Sequence, residues 1–200
     1  MGRRLVVGLG NPGPEYESTW HNLGFHTVRE LAAKLKTSLR SSSGALVGRG
    51  RYAGHDVFLM LPQSYMNLSG KPVSKLARKE GIDAEEILVI LDDHDLPRGM
   101  LRMRTGGGDG GHRGLRSVIQ ELGGQDVARL RIGIRDETED PEAGGYGDLA
   151  DRVLNPLEDA EKKHFEAMSK AASLAVVDWI GVGPVGAMNR HNGLRILPPG

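Results

Sequence analysis

Polar residues that could activate water follow the apolar segments of this sequence. Asn11 follows the first apolar segment, and Asn67 follows a later apolar segment. Asp92 follows the longest uninterrupted apolar segment, and His21 precedes the first predicted helix. In α/β sheets, ligands bind beyond the carboxyl ends of the strands, so these side chains are expected to meet. A neutral imidazole, a carboxylate that holds its tautomer and amide donors suffice for general-base attack by water. Taken singly, each residue also has a structural explanation, because asparagines stabilise turns and histidines can be buried with partners.

Two other catalytic interpretations have weaker support. The sequence contains no G-x-S-x-G, so a covalent serine mechanism is not indicated. Gly8–Gly13 matches the G-x-G-x-x-G fingerprint of dinucleotide-binding proteins, which requires a helix to begin at the loop. Pro12 and Pro14 interrupt this loop, and the first periodic helix begins only near Asn22. We therefore interpret the match as coincidental and keep a nucleotide-dependent enzyme only as an alternative.

A cluster of acidic residues permits a metal hypothesis. Asp92, Asp93 and Asp95 surround His94, and carboxylates of this kind bind Mg²⁺ or Ca²⁺. The spacing matches neither an EF-hand nor H-E-x-x-H, and histidine is a poor ligand for hard cations. The same acids are also suited to capping a turn. We therefore predict no metal site.

The glycine-rich segment Thr105–Leu115 lies within a basic part of the chain. Arg98–Arg135 contains eight arginines and three acidic residues, whereas residues 136–161 contain ten acidic residues and one arginine. Glycines let the backbone approach a ligand closely, and exposed amides bind phosphate. The pattern favours an anionic ligand on one face, although a flexible loop between two solvated charged surfaces is the alternative.

Composition excludes several classes of protein. The 200 residues include no cysteine, which excludes disulfides, thiol nucleophiles, iron–sulfur clusters and Cys-ligated zinc. Aromatic residues make up 4%, which argues against a base-stacking platform. The apolar runs are too short for a signal peptide or a membrane span, so we predict neither, and the composition is compatible with the cytosol. The length is typical of one domain, 1–200.

Apolar periodicity predicts alternating strands and helices. The predicted strands are Leu5–Leu9, Ala45–Tyr52, Val57–Leu61, Ile87–Leu91, Leu101–Arg104 and Leu130–Ile134. The predicted helices begin near Asn22, at Ser69, near Leu115, near Glu158 and near Val185, with stops at Gly81, Gly123 and Gly181. Residues 37–43 and 136–148 are predicted loops, the second acidic, and Gly54-His55-Asp56 a hairpin turn. The pattern is typical of one α/β domain with a parallel or mixed sheet.

Several of these segments together resemble the bacterial-type peptidyl-tRNA hydrolase family. The similar segments, in chain order, are Val7–Tyr16, Thr19–Phe25, Tyr65–Gly70, Asp92–Pro97, Gly106–Leu115, Arg129–Ile134 and Ala187–Asn192. The resemblance covers nearly the whole chain. It implies a single α/β domain with a twisted mixed sheet flanked by helices, no cofactor, and peptidyl-tRNA as the partner of a cytoplasmic monomer without an obligate protein partner.

The resemblance also implies roles for individual residues. His21 matches the catalytic histidine that activates water for ester cleavage, Asp92 the acid that holds it, and Asn11 an asparagine beside the scissile group that helps to recognise a blocked amine. The residues that match positions binding the peptide, the 3′ end or tRNA phosphate are Tyr16, Tyr65, Asn67, Arg113, Arg104 and Arg131.

Two residues depart from the family pattern. Arg113 stands where asparagine is usual, and it can only donate hydrogen bonds, whereas asparagine donates and accepts. Trp20 stands where arginine is usual and carries no charge. Because relatives of this fold include RNA-binding splicing factors, a non-catalytic RNA-binding protein is the main alternative.

Overall fold

The most continuous apolar segment of the sequence forms the middle of a seven-stranded sheet. The structure, a computed structural model, describes residues 2–136 and 153–199, so the predicted acidic loop lies outside the described residues except for Asp136. The strands are β1 Arg3–Gly8, β2 Arg40–Ser42, β3 Ala45–Tyr52, β4 His55–Pro62, β5 Ile87–Pro97, β6 Leu101–Arg104 and β7 Ala128–Arg135. The helices are α1 Leu23–Lys34, α2 Gly70–Glu80, α3 Arg113–Leu122 and α4 Asp159–His191.

The sheet is mixed, with a parallel centre. Its strand order is β2-β3-β4-β1-β5-β7-β6, in which β4, β1, β5 and β7 are mutually parallel and the outer strands antiparallel. The carboxyl ends of the parallel strands therefore share one edge, where ligands bind in α/β sheets. The predicted α/β class with a mixed sheet is confirmed.

Helices cover both faces of the sheet. Along β5, Leu88 and Ile90 point into a core built with α1 and α4, whereas Val89 and Leu91 point into a core built with α2 and α3. Successive strand residues face opposite sides of a sheet, so an uninterrupted apolar run is the sequence of a strand buried on both faces.

Strand β5 continues past its apolar half into Asp92 and Asp93. Its register against β7 shifts between Asp93 and Pro97, because the bulged strand uses four residues where its partner uses two. The predicted strand ended at Leu91, since polar residues gave no signal for its continuation. The extension carries Asp92 into the ladder, where backbone hydrogen bonds fix its position.

Three further predictions need correction. The predicted loop at 37–43 contains β2, whose three residues are all exposed and therefore show no apolar alternation. The hairpin turn is Ala53-Gly54, both with positive φ, so His55 and Asp56 belong to β4. Ser69 precedes α2, but its hydroxyl donates to the Met66 carbonyl (2.9 Å) rather than capping the helix.

Helix α4 consists of two segments that meet at Gly183, two residues beyond the predicted stop at Gly181. Gly183 has a φ of 81°, which only glycine adopts readily, and Pro184 begins the second segment, so the predicted short helix near Val185 is present. Helix α4 is long and apolar enough to cross a membrane, by length and composition alone. It packs against α1, and Met168, Ala172 and Val176 lie in the core, as expected of a core helix.

Backbone contact sets the distance between α1 and the sheet. A Cβ at Gly24 would lie 2.5 Å from the Ile90 carbonyl oxygen and 2.6 Å from the Leu9 nitrogen. Only a residue without a side chain allows this approach. The contact fixes the turn Trp20–Asn22, which directly precedes α1.

We expect Gly24→Ala to destabilise the protein by about 1–3 kcal/mol, because the added methyl collides with main-chain atoms. Thermal unfolding should show a fall in Tm of about 2–12 °C. Gly124→Ala is the matched control, since nothing lies within 4 Å of a Cβ there. Equal Tm values for the two variants would contradict the contact described.

Candidate active site

Two of the predicted catalytic residues contact each other at the carboxyl edge of the sheet. His21 Nδ1 lies 2.9 Å from Asp92 Oδ1, with side chains 15% and 4% exposed. His21 belongs to the turn before α1, and Asp92 to the bulged part of β5. A charge-assisted hydrogen bond in a buried position fixes the orientation of the imidazole.

A second histidine, which the sequence analysis did not single out, shares the same carboxylate oxygen. His112 Nε2 lies 3.3 Å from Asp92 Oδ1, and the Leu115 backbone N–H donates to His112 Nδ1 at 3.3 Å. The acceptor role of Nδ1 places the ring proton on Nε2, facing Asp92. The one available signal was its position at the N-cap of α3, directly after the glycine-rich loop.

The two imidazoles keep Asp92 ionised. Burial raises the pKa of Asp92, but the His21 charge and the hydrogen bonds from both histidines outweigh it, so this pKa lies well below its usual range. Burial lowers the pKa of His21, yet the Asp92 charge and hydrogen bond raise it more, and the net pKa is above 6.5. The Arg113 charge acts in the opposite direction on His21.

The bond to Asp92 also selects the His21 tautomer. Because an ionised carboxylate can only accept, neutral His21 carries its proton on Nδ1. Its Nε2 then holds the lone pair that can accept a proton from water.

Asn11 lies beside this pair and is held by the backbone. Its Oδ1 accepts from the Met66 backbone N–H at 2.8 Å. The amide of Asn22, a buried residue not singled out from the sequence, bonds both the N–H and the carbonyl of Asn11. Because Asn11 Oδ1 is occupied, its Nδ2 group remains as a donor to a ligand.

These residues line a cleft of about 430 Å³. Its walls include the predicted residues Tyr65, Asn67 and Arg113, together with Met66 and His94. Tyr65 is 64% exposed at the entrance. Tyr16, in contrast, is half-buried in the turn Pro14–Tyr16 and does not line the cleft.

Comparison with known proteins places this arrangement in one family. A protein-family model described as peptidyl-tRNA hydrolase matches residues 5–198. This chain belongs to the peptidyl-tRNA hydrolase family. The peptidyl-tRNA hydrolase of Rhodococcus erythropolis is 43% identical over 188 residues, covering 93% of this chain and 96% of that protein. That of Desulforudis audaxviator is 44% identical over 195 residues, covering 97% and 95%.

Solved structures show the same relationship. The peptidyl-tRNA hydrolase of Acinetobacter baumannii superposes with a TM-score of 0.85 and 38% identity, covering 97% of this chain and 96% of that one. A methylthioadenosine/S-adenosyl homocysteine nucleosidase from Campylobacter jejuni reaches a TM-score of 0.53 at 8% identity, a likeness of fold alone. The predicted family and hydrolase activity are confirmed.

The peptidyl-tRNA hydrolase site has arginines to one side of the cleft. Arg102, Arg104 and Arg131 lie on one face of β6 and β7, where Arg102 pairs in register with Arg131. We call these three residues the arginine face. Arg131 forms ion pairs with Asp93 and Asp95, the latter at 3.5 Å.

Arg129 on the same strand is buried and plays a different part. Its Nη1 donates to the carbonyls of Gly107 and Gly108 at 2.9 Å each, and its Nε donates to the Val127 carbonyl. It therefore anchors the glycine-rich loop that ends at His112. The sequence analysis included Arg129 in a basic block and in a segment similar to the family, but assigned it no role, because its burial gave no local signal.

Trp20, which departs from the family pattern, packs in the core. It is 4% exposed, the Arg98 guanidinium lies 4.9 Å from its ring centroid, and the Phe165 ring lies 5.8 Å away. Arg98 also pairs with Glu161 at 3.2 Å. This departure from the family pattern therefore supports the catalytic turn from behind, rather than lining the cleft.

The donor atoms of His21, Asp92 and His112 lie within 4.8 Å of one another, close enough to bind a metal ion. They already form a hydrogen-bonded set, with Asp92 as the shared acceptor. The acidic cluster proposed from the sequence as a metal alternative is divided, because Asp92 bonds histidines whereas Asp93 bonds Arg131. The arrangement fits proton transfer better than metal ligation.

The site geometry predicts that the pKa of His21 in the folded protein exceeds 6.5. Titration followed by histidine NMR should show this midpoint and its decrease in Asp92→Asn, where burial remains but the stabilising charge is lost. Asp56→Asn, which removes an exposed acid on β4, should leave the midpoint unchanged. A midpoint in Asp92→Asn at or above the wild-type value would refute the assigned cause.

Proposed function

We propose that this peptidyl-tRNA hydrolase uses His21 as the general base that cleaves the ester between a peptide, or an N-blocked amino acid, and the 3′-terminal ribose of tRNA. The observation that carries the proposal is the His21–Asp92 pair, which leaves the His21 Nε2 lone pair beside the Asn11 donor in one cleft. An ester is activated enough for water and a base, so no covalent nucleophile is required.

The reaction then has two steps. Neutral His21 removes a proton through Nε2 as a water oxygen bonds to the ester carbon, giving a tetrahedral oxyanion. Asp92 stabilises the imidazolium that forms, and amide donors stabilise the oxyanion. The C–O bond to ribose breaks, the His21 imidazolium transfers its proton to the departing ribose oxygen, and a carboxylic acid and free tRNA result.

The hydrogen bonding of Asn11 is proposed to make the enzyme prefer substrates whose amine is blocked. The Met66 backbone N–H donates to Asn11 Oδ1 and fixes the amide, so its Nδ2 group is the proposed donor to the substrate. A blocked amine brings a carbonyl that accepts this bond, whereas a free α-ammonium can only donate. Asn67 and Tyr65, on the same wall, are proposed to align the acyl group.

The arginine face is proposed to bind tRNA phosphates. Arg104 is exposed on the edge strand, and Arg131 is oriented by Asp93. Phosphate contacts of this kind supply affinity without reading sequence. Tyr16 is retained as a proposed 3′-end contact outside the cleft. We further propose a cytoplasmic monomer without a cofactor, as suits an enzyme that acts on translation products.

The non-catalytic alternative finds no support. The relatives and the solved structures with substantial identity described above are named as hydrolases. The described residues also include His21 and Asp92 in hydrogen-bond contact, and Asn11 lines the same cleft.

The first test compares an N-acetyl-aminoacyl-tRNA with the same tRNA carrying a free amine. We expect rapid hydrolysis of the blocked substrate alone. His21→Ala should lower kcat by about 10²–10⁴-fold, because the general base is lost. Its affinity for deacylated tRNA, measured by filter binding, should be unchanged. Wild-type turnover in His21→Ala would remove His21 from the mechanism.

The wild-type pH dependence follows from the same group. Because the pKa of His21 is raised, kcat/KM should fall with decreasing pH through a midpoint above 6.5, where the base becomes protonated.

A second test addresses the arginine face. Arg104→Gln should weaken tRNA binding and reduce the slope of log K against log salt by about one, because one phosphate contact is lost. Arg104 is preferable to Arg131, whose removal would leave buried Asp93 without its cation. Arg40→Gln, on the opposite edge strand, is the charge-matched control. Identical slopes for both variants would exclude Arg104 from the interface.

A further inference from the structure

A second cleft adjoins the active-site cleft along α3. It has a volume of about 360 Å³, and its walls are Asn67, Arg113, Arg116, Ser117 and Gln120. We call it the α3 cleft. Because Asn67 and Arg113 also line the active-site cleft, the two clefts are neighbours that share part of a wall.

The sheet order places Asn67, on the wall of the α3 cleft, and Arg131, of the arginine face, on opposite sides of Asn11 and Asp92. Asn67 follows β4, Asn11 follows β1, Asp92 lies on β5 and Arg131 on β7. Adjacent strands are about 4.8 Å apart, so β4 and β7 are separated by roughly 14 Å. Asn11, which follows β1, and Asp92, on β5, come from the two strands between them.

The two parts of the substrate, the RNA and the acyl group, must leave this centre in different directions. The scissile ester is at the end of the RNA chain, so the RNA leaves the catalytic centre on one side and the acyl group on another. If RNA phosphates occupy the arginine face, as proposed above, the acyl chain would extend past Asn67 toward α3. The residues that precede the ester-linked amino acid in the peptide would then reach the α3 cleft.

The wall of the α3 cleft is positively charged. Arg113 and Arg116 are three residues apart and both exposed, so they are neighbours on the helix surface. Arg116 pairs with Asp109 at 3.1 Å, whereas no carboxylate of residues 2–136 or 153–199 pairs with Arg113. Cations in the first turn of a helix also meet the positive end of its dipole. An anionic ligand would relieve this unfavourable charge.

We propose that the α3 cleft binds an acidic side chain of the peptidyl group, and that Arg113 makes this enzyme selective for peptidyl-tRNA with acidic residues next to the ester-linked amino acid. The proposal rests on the hydrolase function above and adds the chemistry of the peptide. A guanidinium suits a carboxylate because its planar N–H groups match the two oxygens.

The test uses one tRNA carrying three acyl groups: N-acetyl-Asp-Asp-Ala, N-acetyl-Asn-Asn-Ala and N-acetyl-Lys-Lys-Ala. At low salt, kcat/KM for the acidic peptide should exceed that for the amide peptide by about 2–5-fold, the effect of an exposed ion pair. The lysine peptide should be the slowest. The differences should shrink with added salt, which screens exposed charges.

Variants assign the preference to one side chain. Arg113→Asn should equalise the acidic and amide peptides, whereas Arg113→Lys, which keeps the charge, should retain most of the preference. Arg40→Asn, on β2, should behave as wild type. Loss of the Arg113 charge also alters the pKa of His21, but this affects all three substrates alike, so their rate ratios isolate binding.

Three outcomes would overturn the proposal. Equal rates on the three substrates would refute the selectivity while leaving the hydrolase function intact. Equal losses on all three in Arg113→Asn, together with weaker binding of deacylated tRNA, would assign Arg113 to RNA phosphate instead. Failure to hydrolyse any of the substrates would refute the proposed function itself.

Discussion

The buried carboxylate of Asp92 is the constraint on which the site depends. Burial of an ionised group is unfavourable unless hydrogen-bond donors stabilise its charge. Two imidazoles, those of His21 and His112, bond the Oδ1 atom of Asp92. Each imidazole comes from a different layer: His21 from the turn before α1, and His112 from the N-cap of α3. The two helical layers are therefore joined through one oxygen atom at the edge of the sheet.

The sequence predicts the sheet well because its strands are marked by apolar runs. The buried half of β5, the alternating β6 and β7, and the glycine stops of α2 and α3 follow from periodicity and backbone preference. The exposed strand β2 and the acidic half of β5 carry no such pattern. Strand β2 depends on backbone pairing with the adjacent β3, and the acidic half of β5 depends on β7, which is distant in sequence.

Part of the site could be predicted from its position relative to the predicted elements. Asn11 and Asp92 follow predicted strands and His21 precedes the first predicted helix, and the family resemblance indicated the same three residues. His112, Asn22 and Arg129 were not predicted, because their importance lies in what they hold: a shared carboxylate, a backbone segment and a glycine-rich loop. A single sequence gives the residue types but not these partners. The roles of Arg113 and Trp20 likewise became interpretable only from their positions.

The close packing of glycines against main chain restricts how this site can change over evolutionary time. A side chain on Gly8 would meet the Gly24 backbone, and one on Gly24 would meet the backbone of β1 and β5. A clash with another side chain can be relieved by shortening that side chain elsewhere. Main-chain atoms are common to every residue, so no second substitution can shorten them. A compensating substitution is therefore not available for these glycines, and the location of the proposed catalytic histidine depends on the absence of a Cβ at Gly8 and Gly24.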